Sequence, residues 1–227
     1  MAGAAFFDLD RTLLAGASGP VYSDAMRDSG FTTRGIPGER LLYGLFNAIG
    51  ETLPSMLLAR QAAALAKGRS RAAMRAAGEA AAGTLAAKVQ PFAWQRFAEH
   101  RAAGLPLVVA TTTPYELVKP LGDWLGFDDV IATETRTDRE GRILARIDGR
   151  NCYGLAKLDM IEAWLQRTGL EREAVHIRFY SDHISDAPVH HWSDEAFATN
   201  AHARLFRLAE TEGWEVLDWR DRRRGQR

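Results

Sequence analysis

Two aspartates separated by one residue follow a short apolar run near the start of the sequence. The run Ala4-Ala5-Phe6-Phe7 leads directly into Asp8-Leu9-Asp10-Arg11-Thr12. An apolar run of this length is typical of a buried strand in an α/β sheet. Ligands of such sheets bind at the carboxyl ends of the strands, and residues i and i+2 of a strand share a face. The pattern predicts that Asp8 and Asp10 face one reacting centre or one hard cation, with capping of the next helix as the alternative.

Three further sets of polar residues occupy equivalent positions later in the chain. Thr111 follows the apolar run 105–110, and Lys157 lies in the first turn of a predicted helix. Asp182 and Asp186 follow a predicted strand. With Asp8, these residues supply a nucleophile, a hydroxyl and an ammonium for phosphate oxygens, and carboxylates for Mg²⁺. The combination predicts phosphoryl-transfer chemistry.

Each of these residues also has an ordinary structural interpretation. Thr111 has the chemistry of a cap for the helix near Pro114, and lysines such as Lys157 usually project into solvent. Asp182 and Asp186 are common residues of surface turns. Their occurrence in one order, each at a predicted strand end or helix start, favours a shared site.

The elements that must position these residues alternate along most of the chain. We predict helices at 91–104, 115–125, 154–168 and 203–212, and strands at 105–110, 175–180, 196–199 and 216–219. A turn at 138–141 predicts a hairpin within 130–147. This alternation predicts an α/β fold with a doubly wound, mostly parallel sheet. Residues 15–90 interrupt this alternation. They contain helical segments at 41–49 and 55–66 and an alanine-rich stretch at 69–89. This composition predicts an inserted all-helical unit or, alternatively, ordinary surface helices.

Composition restricts the class of protein. The 227 residues carry 29 basic and 29 acidic side chains, so no overall field favours nucleic acid as a partner. The single cysteine, Cys152, cannot form an internal disulfide, which predicts a cytoplasmic location. No apolar run approaches the roughly 20 residues of a membrane span. The basic tail 220–227 is predicted to be disordered, with peripheral contact to anionic lipid as an alternative, and the oligomeric state stays open.

The order of these motifs resembles the haloacid dehalogenase superfamily of hydrolases. The first motif is Asp8-Leu9-Asp10-Arg11-Thr12, and the second is the strand that ends in Thr111. Lys157 is the third, and the stretch 180–186 (Tyr-Ser-Asp-His-Ile-Ser-Asp) is the fourth. The likeness is closest to subfamily IB, which includes phosphoserine phosphatase and has a helical C1 cap between its first two motifs. It implies a catalytic core of residues 1–14 and 91–227 with a Rossmann-like sheet, and a cap of residues 15–90.

The resemblance also implies a role for each motif residue. Asp8 would be the nucleophile that forms an aspartyl-phosphate, and Asp10 the general acid and then the general base. Mg²⁺ would be bound by Asp8, Asp182 and the backbone carbonyl of Asp10, and Asp186 would support Lys157 or the waters of the metal. The residues implied to bind the phosphate are Leu9, Asp10, Thr111, Thr112 and Lys157. Asn200 matches an asparagine that is usual after the next strand of the family.

Two features of the sequence bear on the substrate, a small phosphomonoester. Phosphoserine phosphatases carry a glutamate nine residues after the nucleophile, where this chain has Ala17, so we expect poor turnover of phosphoserine. The loop 13–20 resembles phosphatase domains fused to lysophospholipid acyltransferases, which implies a lipid-related monoester as one substrate class.

Three other functions are alternatives to this one. A phosphatase-like protein with a regulatory or binding role is the open alternative. A receiver module is disfavoured because the acid pair ends the first strand and a long insertion follows. Dehalogenase chemistry is disfavoured by the second acid, Asp10.

Overall fold

The computed structural model describes residues 3–31, 67–148 and 151–220. Its strands are β1 (Gly3–Phe7), β2 (Leu107–Pro114), β3 (Asp129–Thr137), β4 (Ile143–Asp148), β5 (His176–Ser181), β6 (Glu195–Thr199) and β7 (Glu215–Leu217). Its helices are α1 (Gly19–Asp28), α2 (Arg71–Ala86), α3 (Pro91–Ala102), α4 (Tyr115–Leu125), α5 (Leu155–Thr168), α6 (Ala187–Trp192) and α7 (Ala203–Glu212). The segments 41–49 and 55–66, and the tail beyond residue 220, lie outside the described residues.

The strands form one sheet in the order β4-β3-β2-β1-β5-β6-β7. All neighbouring pairs are parallel except β3 and β4, which form the antiparallel hairpin expected from the turn at 138–141. The order reverses at β1, which lies between β2 and β5. The predicted α/β class and the mostly parallel sheet are therefore confirmed.

The central strand β1 is apolar throughout because both of its faces are covered. All five of its residues are buried. Ala5 and Phe7 join the apolar cluster under α3 and α4, whereas Ala4 and Phe6 join the cluster under α5. Edge-to-face ring contacts join β1 to a helix on each face of the sheet. Phe7 contacts Phe97 of α3 with ring centroids 5.4 Å apart, and Phe6 contacts Trp164 of α5 with ring centroids 5.3 Å apart.

The second strand is longer than the sequence suggested. We expected it to end before Thr111, but β2 continues to Pro114, and its register against β3 shifts between Thr111 and Pro114. Threonine is β-branched and favours extended backbone, so the three threonines are compatible with the longer strand, which pairing with β3 carries to Pro114. Thr111 consequently lies inside β2 rather than directly after it, and the alternative that it caps the next helix is wrong, because Pro114 is the residue at that helix start.

The described part of segment 15–90 is helical and packs on the sheet layer. Tyr22 of α1 and Met74 of α2 belong to the same apolar cluster as Phe7. The two ends of the segment run side by side, since Leu14 and Val89 form an antiparallel bridge and the Ala15 amide donates to the Lys88 carbonyl at 2.8 Å. The division into a core and a cap stays a prediction.

Helix α2 approaches α4 closely through a glycine. A Cβ placed on Gly78 would lie 2.5 Å from the backbone carbonyl oxygen of Leu117.

Within the described residues, no helix is both long and apolar enough to cross a bilayer.

Candidate active site

The carboxyl ends of β1 and β5 bring two of the predicted aspartates to one edge of the sheet. Asp8 directly follows β1, and Asp182 directly follows β5. The backbone amide of Asp8 donates to the carbonyl of Tyr180 at 2.9 Å, which continues the parallel pairing one residue beyond β1. Because β1 and β5 are neighbours, both acids begin loops at the point where the strand order reverses.

A single wide turn at Leu9–Leu13 follows Asp8 and fixes the backbone of the first motif. The Leu14 amide donates to the Leu9 carbonyl at 3.0 Å, and Arg11 takes a left-handed conformation with φ of 65°. The Nδ2 atom of Asn200 donates to the carbonyls of Arg11 and Thr12 at 2.9 and 3.2 Å. Wide helical turns of this kind, with backbone conformations outside the regular helix, often occur at functional sites.

Lys157 makes the closest link between the motifs. Its Nζ atom is 3.0 Å from Oδ1 of Asp8 and 2.7 Å from Oδ2 of Asp186, and its side chain is 2% exposed. Gly154 precedes α5 with φ 59° and ψ −132°, a conformation that suits glycine, and so starts the helix that directs Lys157 inward. The ordinary interpretation of Lys157 as a solvated lysine is therefore wrong.

Asp186 is held by two donors on one oxygen and by none on the other. Besides Lys157, the Ser181 hydroxyl donates to Oδ2 of Asp186 at 2.6 Å. Oδ1 of Asp186 is buried and has no hydrogen-bond partner among the described residues. An unpaired buried carboxylate oxygen is costly, so this atom marks a place for a bound water or cation.

Asp182 is surrounded by positive or potentially positive groups. The Nε atom of Arg11 is 3.4 Å from Oδ2 of Asp182, and Nε2 of His202 is 3.3 Å from the same oxygen. The backbone amide of His202 also donates to the Asp182 carbonyl at 3.0 Å. The Arg11 guanidinium compensates the charge of this carboxylate, whose side chain is only 5% exposed.

Asp10 lies partly buried beside the start of α1. The Ser18 amide donates to Oδ1 of Asp10 at 2.7 Å. Burial raises the pKa of Asp10 to about 6, and the charge of Asp182 adds to the rise, while the bonds to Ser18 and the charge of Lys157 oppose it. A carboxyl group with such a pKa exchanges protons readily near neutral pH.

The remaining predicted residues lie nearby without joining the cluster around Lys157. The Thr111 hydroxyl is buried and accepts from the Thr113 amide at 3.3 Å, and β2 is the other neighbour of β1. The Leu9 side chain is fully buried in the core, so only its backbone can face a ligand. Thr112 is partly exposed at the same end of β2.

Sequence reasoning missed three residues of this site. Arg11 and His202 contact Asp182, and Ser181 holds Asp186. Arg11 and Ser181 each adjoin a predicted aspartate in the sequence, which is a weak signal. No local pattern connects His202 with Asp182, because the two meet only when β6 pairs with β5.

The donor set suits a hard divalent cation. Asp8, Asp182 and the Asp10 carbonyl offer oxygen ligands, which Mg²⁺ prefers. Within the described ranges, no three His, Cys, Asp or Glu side chains form a ready-made cage. A cation bound by two carboxylates, one backbone carbonyl and waters does not need three such side chains. The unpartnered Oδ1 of Asp186 is placed to accept a hydrogen bond from a water on that cation.

Comparison with known proteins agrees with this architecture. A family model described as haloacid dehalogenase-like hydrolase matches residues 5–191. Phosphoserine phosphatase SerB1 of Mycobacterium tuberculosis is 30% identical over 231 residues, which cover 100% of this chain and 74% of that protein. A crystal structure of a Bordetella pertussis protein of unknown function matches with a TM-score of 0.81 at 26% identity, covering 97% of this chain and 100% of that one.

A substrate-bound phosphoserine phosphatase complex matches with a TM-score of 0.63 at 16% identity, over 99% of this chain and 96% of that one. At this identity the likeness shows the fold alone. The sheet, the acid-bearing strand ends and these relatives together define a phosphatase. The chain belongs to the haloacid dehalogenase-like hydrolase family. Within it, the protein is similar to the phosphoserine phosphatases of subfamily IB.

Proposed function

We propose that this phosphatase is a cytoplasmic, Mg²⁺-dependent phosphomonoesterase that works through an aspartyl-phosphate on Asp8. The observation that carries the proposal is the buried contact of Lys157 with both Asp8 and Asp186. A lysine whose ammonium contacts two buried carboxylates has a fixed position beside the proposed nucleophile. An ammonium in this position is suited to hold a phosphate dianion next to the attacking carboxylate, because the two negative groups would otherwise repel each other.

Asp8 is the proposed nucleophile. One of its carboxylate oxygens forms a bond to phosphorus while the bond from phosphorus to the ester oxygen breaks. Lys157 and the Thr111 hydroxyl would bind oxygens of the phosphate, together with the backbone at Leu9, Asp10 and Thr112. Mg²⁺, when bound by Asp8, Asp182 and the Asp10 carbonyl, would neutralise charge on the phosphate.

Asp10 is the proposed proton carrier in both half-reactions. It donates its proton to the departing alkoxide, and the resulting carboxylate then accepts a proton from water. That water forms a new bond to phosphorus, the bond to Asp8 breaks, and inorganic phosphate leaves. The raised pKa of Asp10, about 6, supports this double role because both protonation states are accessible.

The substrate is proposed to be a small phosphorylated metabolite or a lipid-related monoester other than free phosphoserine. Ala17 is buried directly before Ser18, whose amide is bonded to Asp10. Its methyl group cannot pair with a substrate ammonium, which supports poor turnover of phosphoserine.

Hydrolysis of p-nitrophenyl phosphate with Mg²⁺ tests the mechanism. Asp8→Asn should lose at least about a thousandfold in kcat while its circular dichroism spectrum shows that the fold is retained, since the nucleophile is absent. Asp10→Asn should still release one equivalent of p-nitrophenol in a burst, because this leaving group needs little protonation, and then stall as a phosphoenzyme. Full activity of Asp8→Asn would refute the proposed nucleophile. A panel of phosphoserine, sugar phosphates and lysophosphatidate then identifies the substrate class.

A further inference from the structure

A cavity lies beside the proposed active site. Its volume is about 620 Å³, and it opens where the chain segments 14–16 and 87–91 run side by side. We call it the linker cavity; its polar lining residues are Arg11, Lys88, Gln90, Asn200 and Arg220. None of Asp8, Asp10, Thr111, Lys157, Asp182 or Asp186 lines it, so it lies next to the proposed catalytic centre and shares only Arg11 and Asn200 with the surroundings of that centre.

The described lining of the linker cavity is positively charged. Arg11, Lys88 and Arg220 contribute three cations, and no carboxylate is among the described lining residues. Asp182 pairs with Arg11 and Asp218 with Arg220 from outside the cavity, while Lys88 forms no ion pair with any residue that the structure describes. Positive side chains that line one cavity favour an anion between them.

A helix end adds to this positive field. Helix α3, of 12 residues, begins at Pro91, which lines the cavity together with Gln90. No side chain caps this N-terminus. The first amides of a helix carry a partial positive charge and bind phosphate or carboxylate groups readily.

We propose that the linker cavity binds an anionic, phosphorylated small molecule. Cavities of roughly 300–1,000 Å³ accommodate small organic ligands, so the space exceeds what a lone phosphate needs. The apolar side chains of Leu14 and Val89 line the same cavity and would pack against the organic part of the ligand. This inference goes beyond the phosphomonoesterase function and does not depend on it.

Arg11 connects this cavity to the catalytic centre. It lines the cavity, its Nε atom is 3.4 Å from Asp182, and its backbone belongs to the turn that carries Asp10. A ligand phosphate that binds Arg11 competes with Asp182 for the guanidinium. Occupancy of the cavity is therefore expected to alter the proposed metal ligand as well.

Titration of the full chain with inorganic phosphate, followed by amide NMR shifts, tests the proposal. The amides of Gly16, Lys88 and Phe92 should shift together with one dissociation constant, separately from the amide of Thr112 in the proposed active site. Shifts confined to the surroundings of Thr112 would overturn the inference, because phosphate would then bind only at the proposed catalytic centre.

Charge reversal supplies the matched comparison. Lys88→Glu should weaken phosphate binding in the cavity about tenfold or more, since a charge-assisted contact contributes on the order of 1.4 kcal/mol. Arg207→Glu, an exposed site on α7, should leave that constant unchanged. Equal weakening in both variants would show only a general charge effect and overturn the proposal. Binding to phosphatidylglycerol vesicles without any response to free phosphate would equally overturn a small-molecule site.

Discussion

Replacing Lys157 by methionine separates its structural role from its proposed catalytic role. Met fills a similar volume but has no charge. In the native protein the ammonium contacts Asp8 at 3.0 Å and Asp186 at 2.7 Å, and these carboxylates are 7% and 2% exposed. Lys157→Met therefore leaves two buried acids without their shared cation. Breaking a buried ion pair in this way typically costs about 3–5 kcal/mol.

The structure also predicts how that loss can be reduced. In Lys157→Met/Asp186→Asn one of the two orphaned charges is removed, and Ser181 retains an oxygen acceptor at residue 186. The double variant should recover a large part of the lost stability. It should not recover activity, because the cation beside Asp8 is still missing, and losing one electrostatic contact to a transferring group costs about 10²–10³ in rate.

Urea denaturation and hydrolysis of p-nitrophenyl phosphate measure the two effects. Lys119→Met is the matched control, since Lys119 pairs with Asp123 one turn away on the surface of α4. Such exposed pairs contribute less than about 1 kcal/mol. If Lys157→Met loses no more stability than Lys119→Met, the buried bridge is not formed. If Lys157→Met retains its rate, Lys157 has no role in phosphate binding.

Two further predictions concern the packing around the site. Gly78→Ala should destabilise the protein, because its Cβ would lie 2.5 Å from a carbonyl oxygen on α4. Gly83 lies on the same helix beside open space, so Gly83→Ala should raise the free energy of unfolding by about 0.5–1 kcal/mol, as measured by thermal or urea denaturation. Burial lowers the pKa of His100 from 6.5 to about 4, with Arg178 and Arg96 contributing. The unfolded chain therefore binds more protons between pH 6.5 and 4, and stability falls as the pH falls through this window. His100→Gln should flatten this dependence in urea titrations at several pH values; an unchanged slope would contradict the assignment.

Much of the fold was predictable because its signals are local. The continuous apolar run 4–7 predicted the first strand. The alternation of strand-like and helix-like segments along residues 91–219 predicted further strands and helices, and the observed bounds differ from the expected ones by few residues. Helix 203–212 has the bounds that were expected. The extension of β2 through Thr111 was missed, because pairing with β3, rather than the threonines alone, decides where that strand ends.

The sequence by itself determined which chemistry-bearing residues stand at strand ends, since that depends on short apolar runs and the polar residues after them. Only the tertiary structure decided which of them touch. Lys157 and Asp8 are 149 positions apart, and Asn200 is 189 positions from the Arg11 carbonyl to which it donates. Such contacts depend on the order of strands in the sheet and on helix starts such as Gly154, and each closes a long loop for which no short segment carries a signal.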